Sequence, residues 1–304
     1  MTDHPSDSTP SRFRSGFVAI LGAPNAGKST LLNRILGQKI SITSKKPQTT
    51  RNRILGILNR PSAQLVFIDT PGVHKATDPF NIRIVETALS SLGDVDVILV
   101  IIDVARSDPV SEGLMVEKIK TGKKPVVLAL NKIDLIPKTE LLPIIDRWSM
   151  VTSFSDIVPI SAEKGTQVDR LLTSLESLLR FGPPFFPDDI VTDLPERFIA
   201  AEMIREKVFR LTGEEIPYAT AVTVEAFKEE KKGSLVRIHA TIHVERDSQK
   251  GIIIGKGGRM LKSIGEASRR EIERLLGVKV FLKLFVRVQK NWSKDTRALR
   301  KFGY

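Results

Sequence analysis

Residues 22–29 have the sequence GAPNAGKS and fit the pattern G-x-x-x-x-G-K-[ST], a glycine-rich loop that follows a strand and opens a helix. The loop lies between the apolar run FVAIL and the helical run STLLNRILG. In such a loop backbone N–H groups curl around phosphates, Lys28 supplies a cation to the terminal phosphates, and the Ser29 hydroxyl ligates Mg²⁺. The residues expected at a nucleotide are Gly22, Ala23, Pro24, Asn25, Ala26, Gly27, Lys28, Ser29 and Thr30.

Short apolar runs alternate with helical patterns from residue 16 to about residue 180, which is typical of a parallel sheet with crossover helices. Several runs, such as VILVIID, are apolar nearly throughout, as expected for strands that helices cover on both faces. The predicted strands are 16–22, 53–59, 64–69, 96–103, 125–131 and 157–160. The second and third are close enough to require a hairpin, so one edge strand is antiparallel. We predict an α/β domain over residues 15–181.

Three further motifs follow predicted strands, at the edge where open α/β sheets bind ligands. DTPG would place Asp69 in the Mg²⁺ shell and the Gly72 N–H near a γ-phosphate. In NKID, a buried Asp134 carboxylate would accept two hydrogen bonds from guanine, whereas adenine would leave it unpaired. The dipeptide Ser161-Ala162 follows the last predicted strand of this domain. The predicted residues are Asp69, Thr70, Pro71, Gly72, Asn131, Lys132, Asp134, Ser161 and Ala162.

The bulk composition indicates two globular domains, because 304 residues with 41% hydrophobic and 27% charged side chains can bury two cores. The chain has no cysteine, which excludes disulfides and thiolate metal sites and favours the cytoplasm. Residues 1–14 lack the apolar core of a signal peptide and are expected to form a disordered tail. No later run is long enough to span a membrane.

The net charge of +12 is concentrated at one end of the chain. Residues 250–304 hold 15 basic and 4 acidic side chains, so +11 of the total lies there. A local basic surface of this size is expected of a protein that binds a phosphate backbone. Anionic lipid headgroups would satisfy the same charge, and a merely solvated charged face is the third interpretation.

Residues 182–195 include four prolines and are predicted to form a stiff linker. After it the pattern predicts a helix at 196–211, strands at 217–227 and 235–245, a glycine loop, a helix at 260–276 and a strand at 278–289. The loop contains GKGG within I-I-G-x-x-G-x-x-L, which resembles a KH domain of the bacterial type II, where it clamps about four nucleotides. We expect residues 196–304 to form this domain, with a basic C-terminal helix. The predicted RNA contacts are Gly255, Lys256, Gly257, Gly258, Arg259 and Lys262.

The motifs GAPNAGKST, PQTTR, DTPGVHK, NKID and SAEKG, followed by LPERFIAAEMIREKVF, resemble the Era family of GTPases from Ser15 onward. The resemblance implies an α/β P-loop GTPase domain that hydrolyses GTP to GDP with Mg²⁺. It also implies that the chain binds the 3′ region of 16S rRNA and promotes small (30S) ribosomal subunit assembly. We expect a monomer, with peripheral association with the inner membrane as an additional hypothesis.

The family analogy also bears on catalysis. Spacing leaves Thr49 and Thr50 open as the switch I ligand of Mg²⁺, and the analogy favours Thr50. The expected catalytic residues are Lys28, Thr50 and Gly72, and the expected Mg²⁺ ligands are Ser29, Thr50 and Asp69. Ser161 and Ala162 resemble the loop whose backbone approaches the base oxygen.

Two features of the sequence affect the expected rate of GTP hydrolysis. Val73 stands where Ras-like proteins have a water-orienting glutamine, which predicts slow intrinsic hydrolysis. Asn25 resembles the asparagine with which related GTPases hold K⁺ beside the phosphates, although a loop-stabilising role is the alternative.

Trp292 lies among basic residues near the C-terminus, so it either stacks on a base or packs its helix onto the sheet. For the whole chain, a GTP-controlled RNA-binding switch is the leading hypothesis. An RNA-binding module with a structural nucleotide site and a membrane-surface GTPase are the alternatives.

Overall fold

The computed structural model describes residues 13–43, 53–73, 94–213, 216, 220–230, 233–292, 295, 299 and 302. The strands of the N-terminal domain are β1 (Arg14–Gly22), β2 (Ile54–Arg60), β3 (Ala63–Asp69), β4 (Val97–Asp103), β5 (Val126–Asn131), β6 (Asp156–Ile160) and β7 (Arg180–Phe181). Its helices are α1 (Lys28–Leu36), α2 (Pro109–Lys120), α3 (Lys138–Ser149) and α4 (Val168–Leu178). The C-terminal domain contains α5 (Glu196–Leu211), β8 (Ala221–Glu230), β9 (Leu235–Val244), α6 (Asp247–Ile254), α7 (Arg259–Leu276) and β10 (Lys279–Val288).

The N-terminal sheet has the order β2-β3-β1-β4-β5-β6, with the short β7 paired antiparallel to the start of β1. The pairs along this path are parallel except for the β2–β3 hairpin, as predicted. Alternate residues of β1 lie in two separate apolar cores: Val18 and Ile20 on one face, Ala19 and Leu21 on the other. The prediction of an α/β domain with one antiparallel edge strand is confirmed, because helices cover both faces of a sheet made of apolar strands.

The C-terminal domain is built on a sheet of order β10-β9-β8, in which β9 pairs parallel to β10 and antiparallel to β8. The helix α6 was not predicted, since the residues between the strand ending at 245 and the helix beginning at 260 were assigned to a glycine loop. The side chain of Gln249 accepts hydrogen bonds from the N–H groups of Glu245 at 2.9 Å and Arg246 at 3.0 Å, which caps the helix. Ile253 anchors α6 in the core.

Several element ends differ from the predictions by a few residues. The first strand begins at Arg14, inside the stretch expected to be a disordered tail, because this residue pairs with both Ala63 and Phe181. The strand expected from residue 217 is described from Ala221, and residues 217–219 lie outside the described part. The domain boundaries at residues 182 and 195 stay a prediction.

The proline-rich linker lies along the edge strand β2. Ile57 N donates to Val191 O at 2.8 Å, and Thr192 Oγ1 donates to Leu55 O at 2.6 Å. The Gln64 side chain, on the neighbouring strand β3, accepts from Phe185 N at 2.7 Å. The linker therefore covers a strand edge that would otherwise present unpaired backbone groups.

Trp292 is fully buried and contacts Phe302 edge to face, with the ring centroids 5.2 Å apart. The base-stacking interpretation of Trp292 is wrong, since a buried indole cannot meet a base, and the packing alternative is correct. Most of the predicted C-terminal helix lies outside the described residues. Within the described part of the chain, every helix is too short or too polar to cross a membrane.

Candidate functional site

The glycine-rich loop holds a buried lysine at its centre. Lys28 begins α1, is 6% exposed, and donates hydrogen bonds from Nζ to Gly22 O and Ala23 O, each at 2.9 Å. Burial lowers the pKa of Lys28 to about 8, although the charge of Asp69 acts in the opposite direction. The lysine is thus held by carbonyl groups, in the place where a phosphate would attract it.

Asp69 lies at the end of β3, in the position predicted for a Mg²⁺ ligand. Its Oδ2 accepts hydrogen bonds from the hydroxyls of Ser29 at 2.8 Å and Ser41 at 2.9 Å. Its Oδ1 is buried and has no hydrogen-bond partner among the described residues. Burial raises the pKa of Asp69, while Lys28 and the two hydroxyls act against this. One carboxylate with an unsatisfied oxygen beside a serine fits a hard cation that takes its other ligands from phosphates and water.

Three of the predicted motifs meet at one side chain, that of Asn131. Its Nδ2 donates to Ala26 O at 2.7 Å, and its Oδ1 accepts from Ala162 N at 2.9 Å. Gly27 has a φ of +104°, and a Cβ on it would lie 2.2 Å from Asn131 Nδ2. The asparagine therefore braces the phosphate loop against the loop after β6. The Ala162 amide is engaged by Asn131, and its predicted approach to a base stays a prediction.

Asp134 is exposed, whereas the sequence led us to expect a buried carboxylate. The reason is local: β5 ends at Asn131, and the 3₁₀ turn Ile133–Leu135 carries the carboxylate past the edge of the sheet. Lys132 adopts a φ of +70° and forms an ion pair with Asp103 at the end of β4. The turn thus projects Asp134 toward the solvent side of the site.

The DTPG segment packs against the phosphate loop. A Cβ on Gly72 would lie 2.8 Å from Pro24 N, so only glycine fits this approach. Val73 N donates to Gly22 O at 3.1 Å, and the Val73 side chain is buried. Buried Thr70 donates from Oγ1 to Ile20 O at 2.7 Å.

The remaining predicted residues are placed as follows. Asn25 is exposed at the tip of the loop with a φ of +65°, and Thr30 is half-buried in α1. Pro71 and Ser161 are buried. Thr49 and Thr50 lie outside the described residues. In the described part of the chain, no cluster of three or more His, Cys, Asp or Glu side chains has the geometry of a metal site.

The low pKa of Lys28 predicts that affinity for GDP falls as the pH rises. A bound phosphate favours the protonated amine, so above about pH 8 binding must take up a proton, with a limiting loss of about tenfold per pH unit. Below that pH this group contributes no dependence. Calorimetric titration of GDP between pH 7 and 9 measures the slope, and Lys28→Met should remove it. An equal slope in both proteins would contradict the assignment to Lys28.

The segment that leaves α1 connects the nucleotide site with the C-terminal domain. Ser41 bonds Asp69, as described above, and Lys39 and Thr43, each two residues away from Ser41, contact Glu206 of α5. Glu206 is fully buried and forms ion pairs with Lys39, Lys207 and Arg210. We call residues 39–43 the switch stem.

Thr43 and Glu271 complete this contact between the domains. Thr43 donates to Glu206 Oε1 from both N and Oγ1, each at 3.2 Å. Glu271 of α7 pairs with Lys39 at 2.9 Å and with Lys207 at 2.5 Å. Burial alone would raise the pKa of Glu271, but these two lysines hold that pKa below its usual value. Glu271 is therefore charged, and it and Glu206 hold the switch stem against two helices.

The GKGG loop joins α6 to α7 and opens onto a groove. Gly255, Gly257 and Gly258 all have positive φ, which favours glycine. Space is open beside Gly257, since a Cβ there would meet nothing within 4 Å. The groove has a volume of about 430 Å³ and runs between α7 and β10. Its lining residues are Gly258, Leu261, Lys262, Gly265, Glu266, Arg269, Leu282, Lys283 and Leu284.

Sequence reasoning missed several residues of these sites. Ser41 is polar and unremarkable in the sequence, and its contact with Asp69 depends on the path of the switch stem. Arg34 donates to the carbonyls of Ala162 and Glu163, which fixes the loop after β6. Leu282 and Leu284 of β10, which form the apolar wall of the groove, were not among the predicted RNA contacts. The alternation of charged and apolar residues along β10 was the one available signal.

Comparison with known proteins identifies the relatives of the chain. Residues 17–132 match the family described as "50S ribosome-binding GTPase", and residues 215–293 match the KH domain. GTPase Era of Geotalea uraniireducens is 58% identical over 97% of this chain and 99% of the relative. GTPase Era of Geobacter metallireducens is 56% identical over the full length of both chains.

Two solved structures share the whole architecture. A variant of Era from Aquifex aeolicus bound to GDP·AlF4⁻ superimposes with a TM-score of 0.92 at 43% identity, covering 96% of this chain and 99% of that one. A structure of Era with MgGDPNP and nucleotides 1506–1542 of 16S ribosomal RNA gives the same TM-score, identity and coverage.

Proposed function

The chain belongs to the Era family of GTPases, and on that premise we propose that it is a GTP-controlled switch that binds the 3′ end of 16S rRNA and promotes 30S subunit assembly. The family establishes the enzyme class, a GTPase that uses GTP and Mg²⁺. One observation carries the proposal: a braced nucleotide site and a GKGG groove occur in one chain, and a network of buried charges connects them.

At the nucleotide, each residue has a role suited to its position. The backbone N–H groups of residues 22–30 and the Lys28 amine bind the phosphates, with the start of α1 adding a favourable dipole. Ser29 and Asp69 would hold Mg²⁺, which offsets charge on the phosphates when it is bound. Asp134 selects guanine, and Asn131 keeps the phosphate loop and the loop after β6 in register. Thr50 and Gly72 complete the proposed catalytic set.

Intrinsic hydrolysis is expected to be slow, because Val73 is buried and apolar and cannot orient a water molecule. Potassium held by Asn25 would supply an additional positive charge beside the phosphates. Replacing Na⁺ with K⁺ should therefore raise the single-turnover rate of GTP hydrolysis at least about tenfold. Asn25→Ala should lose this increase while keeping its rate in Na⁺. Equal wild-type rates in the two salts would rule out the potassium site.

The switch stem provides the link between nucleotide and RNA. Ser41 donates to Asp69 Oδ2, so a cation bound at the other oxygen, Oδ1, would compete with Ser41 for the charge of the same carboxylate. A shift of Ser41 would move Lys39 and Thr43, which are bonded to Glu206 in the KH domain. The docking of the KH domain, and with it the affinity for RNA, would thus depend on the nucleotide. By reciprocity, bound RNA changes the affinity for GTP by the same factor.

The groove between α7 and β10 is the proposed RNA site, with contacts from residues 255–259 and Lys262. Lys256, Arg259 and Lys262 are exposed, so their charges are available to a phosphate backbone. The glycines let that backbone approach closely. Leu261, Leu282 and Leu284 give the groove an apolar floor for bases.

A charge placed at Gly257 tests this site. Gly257→Asp should weaken binding of the RNA fragment 1506–1542 at least about tenfold, because a carboxylate would face the phosphates. Gly257→Asn is the matched control, since it has the same shape and tolerates positive φ equally but adds no charge. Fluorescence anisotropy gives both affinities.

Crosslinking and sequencing of bound RNA in bacterial cells tests the partner. Wild-type protein should be enriched at the 3′ end of 16S rRNA, and Gly257→Asp should lose this enrichment. Enrichment elsewhere, or an Asp variant that binds as well as the Asn variant, would refute the proposal. Accumulation of immature small subunits in cells carrying only the Asp variant would support the assembly role.

A further inference from the structure

The outer face of β10 displays two aromatic rings between basic side chains. Because side chains alternate along a strand, residues 280, 282, 284, 286 and 288 face the helices, and the intervening residues face outward. The outward residues are Lys279, Phe281, Lys283, Phe285 and Arg287. Phe281 is 46% exposed and Phe285 43% exposed, which is unusual for large apolar side chains in a small sheet. We call these five residues the β10 outer face.

The rings of this face are associated with cations. The Arg237 guanidinium, on the neighbouring strand β9, lies 4.7 Å from the centroid of Phe281. Lys283 Nζ lies 5.1 Å from the centroid of Phe285. Arg237 is neutralised by Glu230. Lys279, Lys283 and Arg287 form no ion pair with a described carboxylate, so the face keeps a net positive charge.

The β10 outer face adjoins the groove. β10 is the edge strand of its sheet, and its inward side chains Leu282 and Leu284 line the groove. Lys283 lies at the rim of the groove and also beside Phe285. A strand of RNA that leaves the groove across β10 would therefore meet the outer face directly.

We propose that the β10 outer face is a second site for single-stranded RNA, with bases stacked on Phe281 and Phe285 and phosphates at Lys279, Lys283 and Arg287. Four residues along a strand separate the rings by about 13 Å, so each ring can take a separate base. Exposed aromatic residues on an open sheet stack bases in this way in other RNA-binding folds, and stacking tolerates any base. This inference rests on the proposed RNA binding and extends it beyond the GKGG loop.

The charge of the face favours RNA over an apolar protein partner, since basic side chains and aromatic rings alternate along the outward positions of β10. An anionic membrane is the competing ligand, and the test separates it from RNA. The double variant Phe281→Leu/Phe285→Leu keeps apolar side chains but removes both rings. Phe181→Leu, at an exposed ring on β7 that is 63% exposed, is the matched control.

Fluorescence anisotropy with the RNA fragment 1506–1542 is the primary measurement. The double Leu variant should bind at least about fivefold more weakly than wild type, while Phe181→Leu binds normally. Phe281→Trp/Phe285→Trp should restore or exceed the wild-type affinity. Unchanged melting temperature and GTP affinity would show that the loss is not a folding defect. Sedimentation with phosphatidylglycerol vesicles measures the alternative ligand.

The outcomes are distinct. Wild-type RNA affinity in the double Leu variant would overturn the second site, and so would a loss of vesicle binding without a loss of RNA binding. If Gly257→Asp weakens RNA binding while the double Leu variant does not, the proposal that the groove binds RNA is supported and the proposal for the β10 outer face is refuted. If wild-type protein does not bind the fragment, the proposed RNA function itself fails.

Discussion

Replacement of Asp134 by asparagine is expected to lower the affinity for GTP about a thousandfold, because it removes two charge-assisted hydrogen bonds to guanine. The preference for GTP over ATP should disappear with them. The carboxylate is exposed and lies in a turn beyond β5, so the substitution should leave the fold unchanged. Xanthosine triphosphate has a carbonyl oxygen where guanine has an amino group, and an asparagine amide can donate to it. The variant should therefore bind that nucleotide better than wild type does.

Calorimetric titration with GTP, ATP and xanthosine triphosphate measures the change. Asp146→Asn is the control, since it removes another exposed carboxylate, on α3, and leaves the site intact. Guanine selectivity that survives in the Asp134 variant would show that another group recognises the base. ATP bound as tightly as GTP by the wild type would refute the whole interpretation of the site.

The second large effect is expected at Glu206, where Glu206→Gln should abolish the dependence of RNA affinity on the bound nucleotide. The carboxylate is fully buried among Lys39, Lys207 and Arg210, so removing its charge should weaken domain docking by about 3 kcal/mol, or about a hundredfold. The affinity for RNA should then be nearly the same with GDP and with a GTP analogue. GTP affinity itself should change little, because Glu206 does not contact the phosphate loop.

Glu202→Gln is the matched control for Glu206. It lies on the same helix and is also buried, but it pairs with Arg205 of its own helix instead of the switch stem. RNA affinities are measured in both nucleotide states for each protein. If Glu206→Gln folds poorly, Lys39→Gln removes the same contact from the partly exposed side. Full nucleotide dependence in both variants would show that coupling takes another route.

The elements that the sequence predicted are those whose information is local. Strand β5 is a continuous apolar run that ends in the NKID motif, and β3 likewise ends in DTPG, so their positions follow from pattern alone. The GKGG loop was recognised in the same way. The helix α6 was missed because Gly251 and three isoleucines disfavour a helix locally, and its stability comes from the Gln249 cap and the core.

The contacts between the domains could not be predicted from the sequence for a different reason. Lys39 and Glu271 are 232 residues apart in the chain, and each looks like an ordinary surface charge. Only the folded arrangement makes them partners. Trp292 was ambiguous for the same reason, since its partner Phe302 lies in the C-terminal segment and the face that buries it is set by tertiary packing.

The docked linker determines how the KH domain can move. Thr192 is fixed to β2, and α5 begins at Glu196, so only three residues join the anchored part of the chain to the first KH helix. The four Cα–Cα steps from residue 192 to residue 196 span about 14 Å at most. The linker therefore limits the motion of the KH domain. The domain can rotate about a point near residue 194, but its first helix cannot move far from β2. A label pair across this point should report a change of angle on nucleotide exchange with almost no change of distance.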